Sequence, residues 1–302
     1  MGLTGRGRRA RGPGPPIVAV AVAAVGLGVS AGARQPALTI THVARSLQPG
    51  EVVVLEVRAP AGVTQVKATA FDREVPCVET TPGEWRAFAG IDLDVTPGSH
   101  VVEVRAAGGP EPLTGSVPLD VLDRAFGTRT LRVAPKFVTP PPSMAARLER
   151  ERKRVAAALA SSAPRPYWTG PFTPPVGGRA VSGFGVRSVF NGQARDPHGG
   201  ADLAGPTGTP VRAPNAGRVV LAAHHYFPGK LVILDHGMNV FSMLAHLSRI
   251  DVQEGADVRR GEVVGLVGAT GRVTGPHLHW AVRVAGARVD PFSLIEVSQR
   301  LR

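Results

Sequence analysis

Cysteine occurs once in this 302-residue chain, at Cys77, so the sequence can form neither an internal disulfide nor a thiolate metal site. A lone thiol in a strand-like stretch reads as a small buried hydrophobe. Aromatic residues make up only 5% of the chain, and no basic run interleaves with them, so nothing supports nucleic acid as a partner. Long helical periods are scarce. A membrane span needs roughly 20 apolar residues, and the run Ile17 to Val29 supplies about 13. Lysine is also sparse: Lys230 is the only one after residue 153.

Glycine and proline are abundant, at 37 and 28 residues, which points to many short strands and turns. The length suggests about two domains. A formal charge of +12, carried mostly by arginine, suits an anionic membrane face or an anionic polymer; it also fits a chain-wide bias towards Arg, Ala, Gly and Pro. At the N-terminus, Arg6, Arg8, Arg9 and Arg11 precede the short apolar run, and Ser30-Ala31-Gly32-Ala33 follows it. That is the pattern of a secretory signal over residues 1–33, cleaved near Ala33, with a retained membrane anchor as the alternative. No cysteine follows it, which excludes a lipoprotein. The expected location is therefore outside the cytoplasm, in the periplasm or cell envelope.

Residues 38–123 read as short alternating strands separated by Pro-Gly and Gly-Gly turns, the pattern of an immunoglobulin-like β-sandwich. Its histidines, His42 and His100, have no companions and read as structural or surface residues. Residues 124–177 hold a strand, a helix from Ser143 to about Ser162 and a Pro-rich linker. Met144, Leu148, Val155 and Leu159 are that helix's apolar positions, and Arg147 to Arg154 read as its solvated face. From residue 178 to 298 the strands return, so the whole chain is expected to be all-β in class.

Seven of the nine histidines lie after residue 197. His198-Gly-Gly-Ala-Asp202 sets an imidazole and a carboxylate on a bent, glycine-rich segment. In His277-Leu278-His279 a strand would point both imidazoles to one face. Two histidines and one aspartate would make a three-ligand zinc site with a fourth position open, the catalytic rather than the structural count. Such a zinc brings the pKa of a water to roughly 7 and polarises a carbonyl, and a spare histidine can handle the proton. Spacing leaves the roles of His277 and His279 interchangeable.

These stretches, with Ala245-His246-Leu247-Ser248 and Gly271-Arg-Val-Thr-Gly-Pro-His-Leu-His-Trp280, resemble in order the motifs of the M23 zinc endopeptidases of lysostaphin or LytM type. The resemblance covers roughly residues 178 to 296 and implies an open antiparallel β-sheet with a groove. It implies His198, Asp202 and His279 as zinc ligands, and His246 with His277 as the pair that activates water and stabilises the intermediate. It also implies the peptide cross-bridges of peptidoglycan as substrate; the chain is expected to act as a monomer. Four positions depart from the family. Leu244 replaces a frequent tyrosine, which would alter substrate contacts; Lys230 replaces an asparagine; and His224-His225 are expected as exposed turn residues. His236 reads as a structural hydrogen-bonding histidine, and Asn191 as a residue within reach of the metal's water.

Two rival readings remain. A non-enzymatic LytM-like activator or wall-binding module would be expected to lose ligands, and all five positions are present. A biotinyl or lipoyl carrier would need an exposed lysine at a hairpin tip, and Lys230 lacks that context.

Overall fold

The computed structural model describes residues 37–109 and 111–301, so the signal-like segment 1–33 lies outside the described residues. Seven strands come first: β1 (Thr39–Ala44), β2 (Val52–Arg58), β3 (Gln65–Ala70), β4 (Arg73–Thr81), β5 (Glu84–Gly90), β6 (Gly98–Ala107) and β7 (Leu113–Val121). They pair antiparallel in the order β1-β2-β5-β4-β3-β6-β7. β4 belongs to two layers: Arg73 to Pro76 pair with β3, and Cys77 to Thr81 pair with β5. The layers are therefore β1-β2-β5-β4 and β3-β6-β7, the strand order of a seven-stranded immunoglobulin sandwich. Alternation explains the core between them: Val66, Ala68 and Ala70 of β3 point inward while Gln65, Lys67 and Thr69 are exposed.

β2 breaks the alternation for a reason. Val52 to Leu55 are all fully buried, because Val53 and Leu55 face the sandwich core and Val52 and Val54 face the second half of the chain. Along this seam Glu51, 1% exposed, accepts from Arg45 at 2.7 Å, Arg124 at 3.0 Å and Ser293 at 2.8 Å.

The middle segment contains β8 (Thr128–Leu131), two short 3-10 turns and α1 (Ala145–Leu159). Val155, Ala158 and Leu159 of α1 pack on Leu221, Leu231, Ile233 and Phe241. The charged stretch of α1 is not merely solvated. Glu151 accepts the Tyr226 amide at 2.7 Å and Arg154 pairs with Glu254 at 2.8 Å, which ties the helix to the sheet beneath it. Phe172 of the Pro-rich segment is fully buried in the C-terminal core.

The second half adds β9 (Ala180–Ser182), β10 (Arg187–Phe190), β11 (Gln193–Ala194), β12 (Ala201–Ala204), β13 (Pro210–Arg212), β14 (Gly217–His225), β15 (Gly229–Asp235), β16 (Val240–Ile250), β17 (Asp257–Val258), β18 (Val263–Val267), β19 (His277–Val284), β20 (Ala287–Val289) and α2 (Pro291–Arg300). Its main sheet runs β17-β14-β15-β16-β19-β12-β9, antiparallel throughout. The molecule is thus predominantly β, as the turn-rich sequence indicates. Asp290 caps α2 by accepting the Phe292 amide at 3.0 Å, with proline at the first helical position.

Several single residues differ from their sequence reading. His225 ends β14 buried, at 3% exposure, rather than lying in an exposed turn, whereas His224 is exposed. Leu244 is fully buried in the core, so it offers no side chain to a substrate. Lys230 donates to the Ser248 carbonyl at 2.6 Å and is not a free hairpin-tip lysine.

Candidate active site

The site forms where β12, β16 and β19 lie side by side. Asp202 of β12 stands directly across from His279 of β19, and Ala245 of β16 stands across from His279 on its other side. Residues opposite one another in a sheet share a face, and so do residues two apart in one strand. Asp202, His277 and His279 therefore project together. His198 arrives from the loop before β12, with its main chain held by Val186 at 3.0 Å and Gly185 at 2.8 Å.

His246 needs a special device. Regular alternation would send it to the face opposite Ala245. Between Lys230–Leu247 and Val232–Leu244 the pairing register slips, placing an extra residue on β16. His246 takes φ +65° at this bulge, and its amide bonds to Pro228 at 2.8 Å instead of to the neighbouring strand. The bulge turns the side chain towards the site. Its ring centroid lies 5.0 Å from that of His277 and 5.9 Å from that of His279.

Three donor atoms converge. His198 Nε2 is 3.0 Å from Asp202 Oδ1, His279 Nδ1 is 2.9 Å from the same oxygen, and the two ring nitrogens are 2.9 Å apart. Around a tetrahedral ion with ligands at 2.0–2.1 Å, donors sit about 3.3 Å apart, so this triangle needs to open by only a few tenths of an ångström to receive one. The donors' own chemistry fits the same purpose. Two imidazole nitrogens directed at each other and at one carboxylate oxygen are the arrangement a cation resolves. His198, Asp202 and His279 form the metal-capable group among the described residues.

The surroundings fix the rings. His198 Nδ1–H donates to the Gly183 carbonyl at 2.9 Å, which leaves Nε2 as the inward-facing nitrogen. His246 Nδ1–H donates to Thr270 and His277 Nδ1–H to Gly275, each at 2.9 Å. Carbonyls only accept, so in the neutral ring each Nε2 carries the lone pair. His277 Nε2 lies 3.6 Å from Asp202 Oδ1. Burial, with the neighbouring His279 and His277, pushes His246 down to about 3. Burial likewise lowers His279, against the raising effect of its bond to Asp202. Burial opposes the charge on Asp202, yet its close pairing with the rings of His198 and His279 outweighs it and holds the carboxyl well below the usual range. A lowered His279 beside an ionised Asp202 suits a metal, which binds deprotonated ligands.

All five residues singled out from the sequence are therefore in one place. Two others behave differently. Asn191 spends its amide on the Val133 backbone, accepting at 3.1 Å and donating at 2.9 Å, so it does not reach the metal-capable group. His236, fully buried, bonds to Ala216 at 2.8 Å and Ser242 at 2.9 Å, which is the structural role its sequence context suggests. Nothing in the residue pattern singles out Arg129. β8 pairs parallel with β10, and Arg129 donates to Ser188 at 3.1 Å while its Nη2 stands 3.4 Å from Asp202 Oδ2. A pairing between strands this distant in sequence leaves no periodic signal in either.

Residues 196–291 match Peptidase family M23. The chain is 46% identical over 94 residues to peptidoglycan DD-endopeptidase ShyA of Vibrio cholerae, covering 31% of this chain and 22% of that protein. It is 45% identical over 97 residues to DD-carboxypeptidase/endopeptidase Mpg of Neisseria meningitidis, covering 32% of this chain and 22% of that protein. The chain thus spans about a fifth of the length of these curated relatives. A solved structure assigned to peptidase M23 of Pseudomonas aeruginosa shares 35% identity at a TM-score of 0.64, covering 84% of this chain and 96% of that one. With similarity running through the sandwich as well as the site-bearing sheet, this chain belongs to peptidase family M23.

Proposed function

We propose that the protein is an exported zinc-dependent endopeptidase that hydrolyses peptide cross-links of peptidoglycan, as a monomer in the cell envelope. One observation carries the reading: His198, Asp202 and His279 bring three donor atoms to within 3.0 Å of one another, beside two further histidines whose Nε2 atoms are unspent. Three protein ligands leave a tetrahedral ion one position short, which distinguishes a catalytic from a structural zinc. When bound there, zinc supplies Lewis-acid polarisation of a peptide carbonyl and lowers the pKa of a water to roughly 7.

The chain's own part is proton handling and charge placement. Thr270 and Gly275 hold the Nδ1 protons of His246 and His277, so the Nε2 of either ring can take a proton from the attacking water. The protonated ring is then a donor, able to stabilise the developing oxyanion and to pass its proton to the leaving amine nitrogen. The names of the curated relatives suggest a bond between two D-centres as the target. The short apolar segment near the N-terminus supports export, and the arginine-rich charge suits the anionic wall. A non-enzymatic role is the weaker reading because the ligands and both proton-handling histidines are assembled together.

Digestion of purified sacculi, followed by mass spectrometry of the released muropeptides, tests the proposal. Cross-linked dimers should fall to monomers with about one zinc per chain, and chelation should stop the reaction. Dimers that persist in the presence of fully zinc-loaded protein would overturn it.

A further inference from the structure

Between Thr270 and Gly275, whose carbonyls hold the two proton-handling histidines, the chain presents Arg272. Its amide donates to the Phe227 carbonyl at 2.8 Å, and its side chain runs between two aromatic rings. The guanidinium carbon lies 4.8 Å from the ring centroid of Phe227 and 5.0 Å from that of Phe190. The loop cannot easily shift. Gly271 has φ +78°, and a Cβ there would stand 2.3 Å from the Phe227 carbonyl oxygen.

Stacking occupies the faces of a guanidinium and leaves its five N–H donors at the edge. Arginines elsewhere in the chain spend those donors: Arg45 on Glu51 and Asp290, Arg129 on Ser188 and Asp202, Arg195 on Val138 and Gln193. Arg272 does not. Among the described residues no carboxylate stands within ion-pair distance of it; Asp196 acts on it only at longer range, and Arg195 opposes it. A half-buried cation with edge donors unspent, clamped on the loop whose carbonyls hold His246 and His277, is built to receive a planar anion from outside the chain.

The bond suggested above contains such an anion. A bond between two D-centres has, on its nitrogen side, a carbon that also carries a carboxyl group. In a carboxypeptidase substrate that group is the chain terminus. In a cross-link formed through the D-centre of a diamino acid it is the free carboxyl beside the acylated nitrogen. We propose that Arg272 is a specificity-determining residue that binds the free carboxylate on the amine side of the scissile bond. The inference rests on the peptidase reading and explains how one site would accept both substrate types while disfavouring bridges that are neutral at this position.

Paired substrates test it: acyl-D-alanyl-D-alanine and its C-terminal carboxamide, with sacculi as a parallel substrate. Wild type should favour the carboxylate by roughly 10- to 100-fold in kcat/KM, the size of a charge-assisted hydrogen-bond pair. Arg272→Met keeps a flexible stem between the rings and should bring that ratio close to one, with Arg272→Lys in between. A merely structural Arg272 would lower both substrates together and leave the ratio unmoved, which overturns the inference. A wild type that cuts both small substrates equally also overturns it, and leaves the peptidase reading intact. Zinc-loaded wild type that cuts neither small substrate nor sacculi overturns the peptidase reading, and the inference with it.

Discussion

Asp202, 6% exposed, stands within 3.0 Å of a ring nitrogen of His198 and of one of His279, and for His198 the Gly183 carbonyl decides which nitrogen faces it. The rings of His277 and His279 differ in what their Nδ1 atoms face. His279 turns Nδ1 towards Asp202 and His198, whereas His277 has spent Nδ1 on Gly275. His198→Ala, Asp202→Ala and His279→Ala should each empty the metal site and abolish activity. His246→Ala and His277→Ala should keep the zinc and lose roughly 10²–10⁴-fold in turnover. Metal analysis beside sacculus digestion reads both; zinc lost from His277→Ala but kept by His279→Ala would reverse the assignment. A second residue-scale prediction concerns His236, far from this chemistry. Burial pushes it down to about 4 from the ordinary 6.5. The unfolded chain therefore binds more protons between those values, and stability falls as pH drops through that window. At 1.36 kcal/mol per unit the loss approaches about 3 kcal/mol near pH 4. Denaturant titrations at pH 7 and 4.5 should show a shallower pH dependence for His236→Gln than for wild type, although the variant starts less stable.

At the scale of elements, the site depends on a bulge and two turns. The extra residue in β16 aims His246, and the Thr270 loop, locked against the β14–β15 turn, fixes its tautomer. Gly229 marks the closest approach. It has φ +65°, and a Cβ there would stand 2.2 Å from Thr270 Oγ1 and 2.5 Å from the Thr270 carbonyl oxygen. Thr270 Oγ1 also accepts the Lys230 amide at 2.9 Å and donates to Leu247 at 2.8 Å, so it has no slack to yield. Gly229→Ala should cost about 1–3 kcal/mol of stability and lower turnover by displacing the carbonyl that orients His246. Zinc content should hold, since no ligand lies in this turn. Unchanged turnover in a folded Gly229→Ala would show that the Thr270 carbonyl does not set the ring.

Across the whole molecule, the sandwich and the site-bearing sheet share a seam in which apolar residues from both halves join one cluster around a buried carboxylate. Glu51 is paired with Arg45 and Arg124, both about a quarter exposed, and hydrogen-bonded to Ser293 of α2. Removing it leaves two guanidinium groups facing a void. The expected cost of Glu51→Ala is about 2–3 kcal/mol, below the full value for a buried pair because the arginines keep partial solvent contact. Calorimetry should show one unfolding transition for wild type and two for the variant, as the sandwich uncouples from the sheet. A single transition at an unchanged midpoint would mean the seam is held by its apolar contacts alone.

His277-Leu278-His279 was legible because alternation in a strand is local, and the β class was legible because glycine and proline turns mark short strands. His236 was legible as a structural hydrogen-bonding histidine, and the five candidate positions were picked out through their resemblance to known motifs. Other features needed the folded chain. The bulge that aims His246, the buried end of β14 at His225 and the clamp on Arg272 each depend on segments distant in sequence meeting at one point. The same holds for β8, whose parallel partner follows 55 or more residues later, and for Val52 and Val54, whose burial comes from the other half of the molecule. Residue pattern determines which face a side chain takes within its own strand; only tertiary packing determines what stands opposite that face, because the pairing of strands is set by contacts that no local period records.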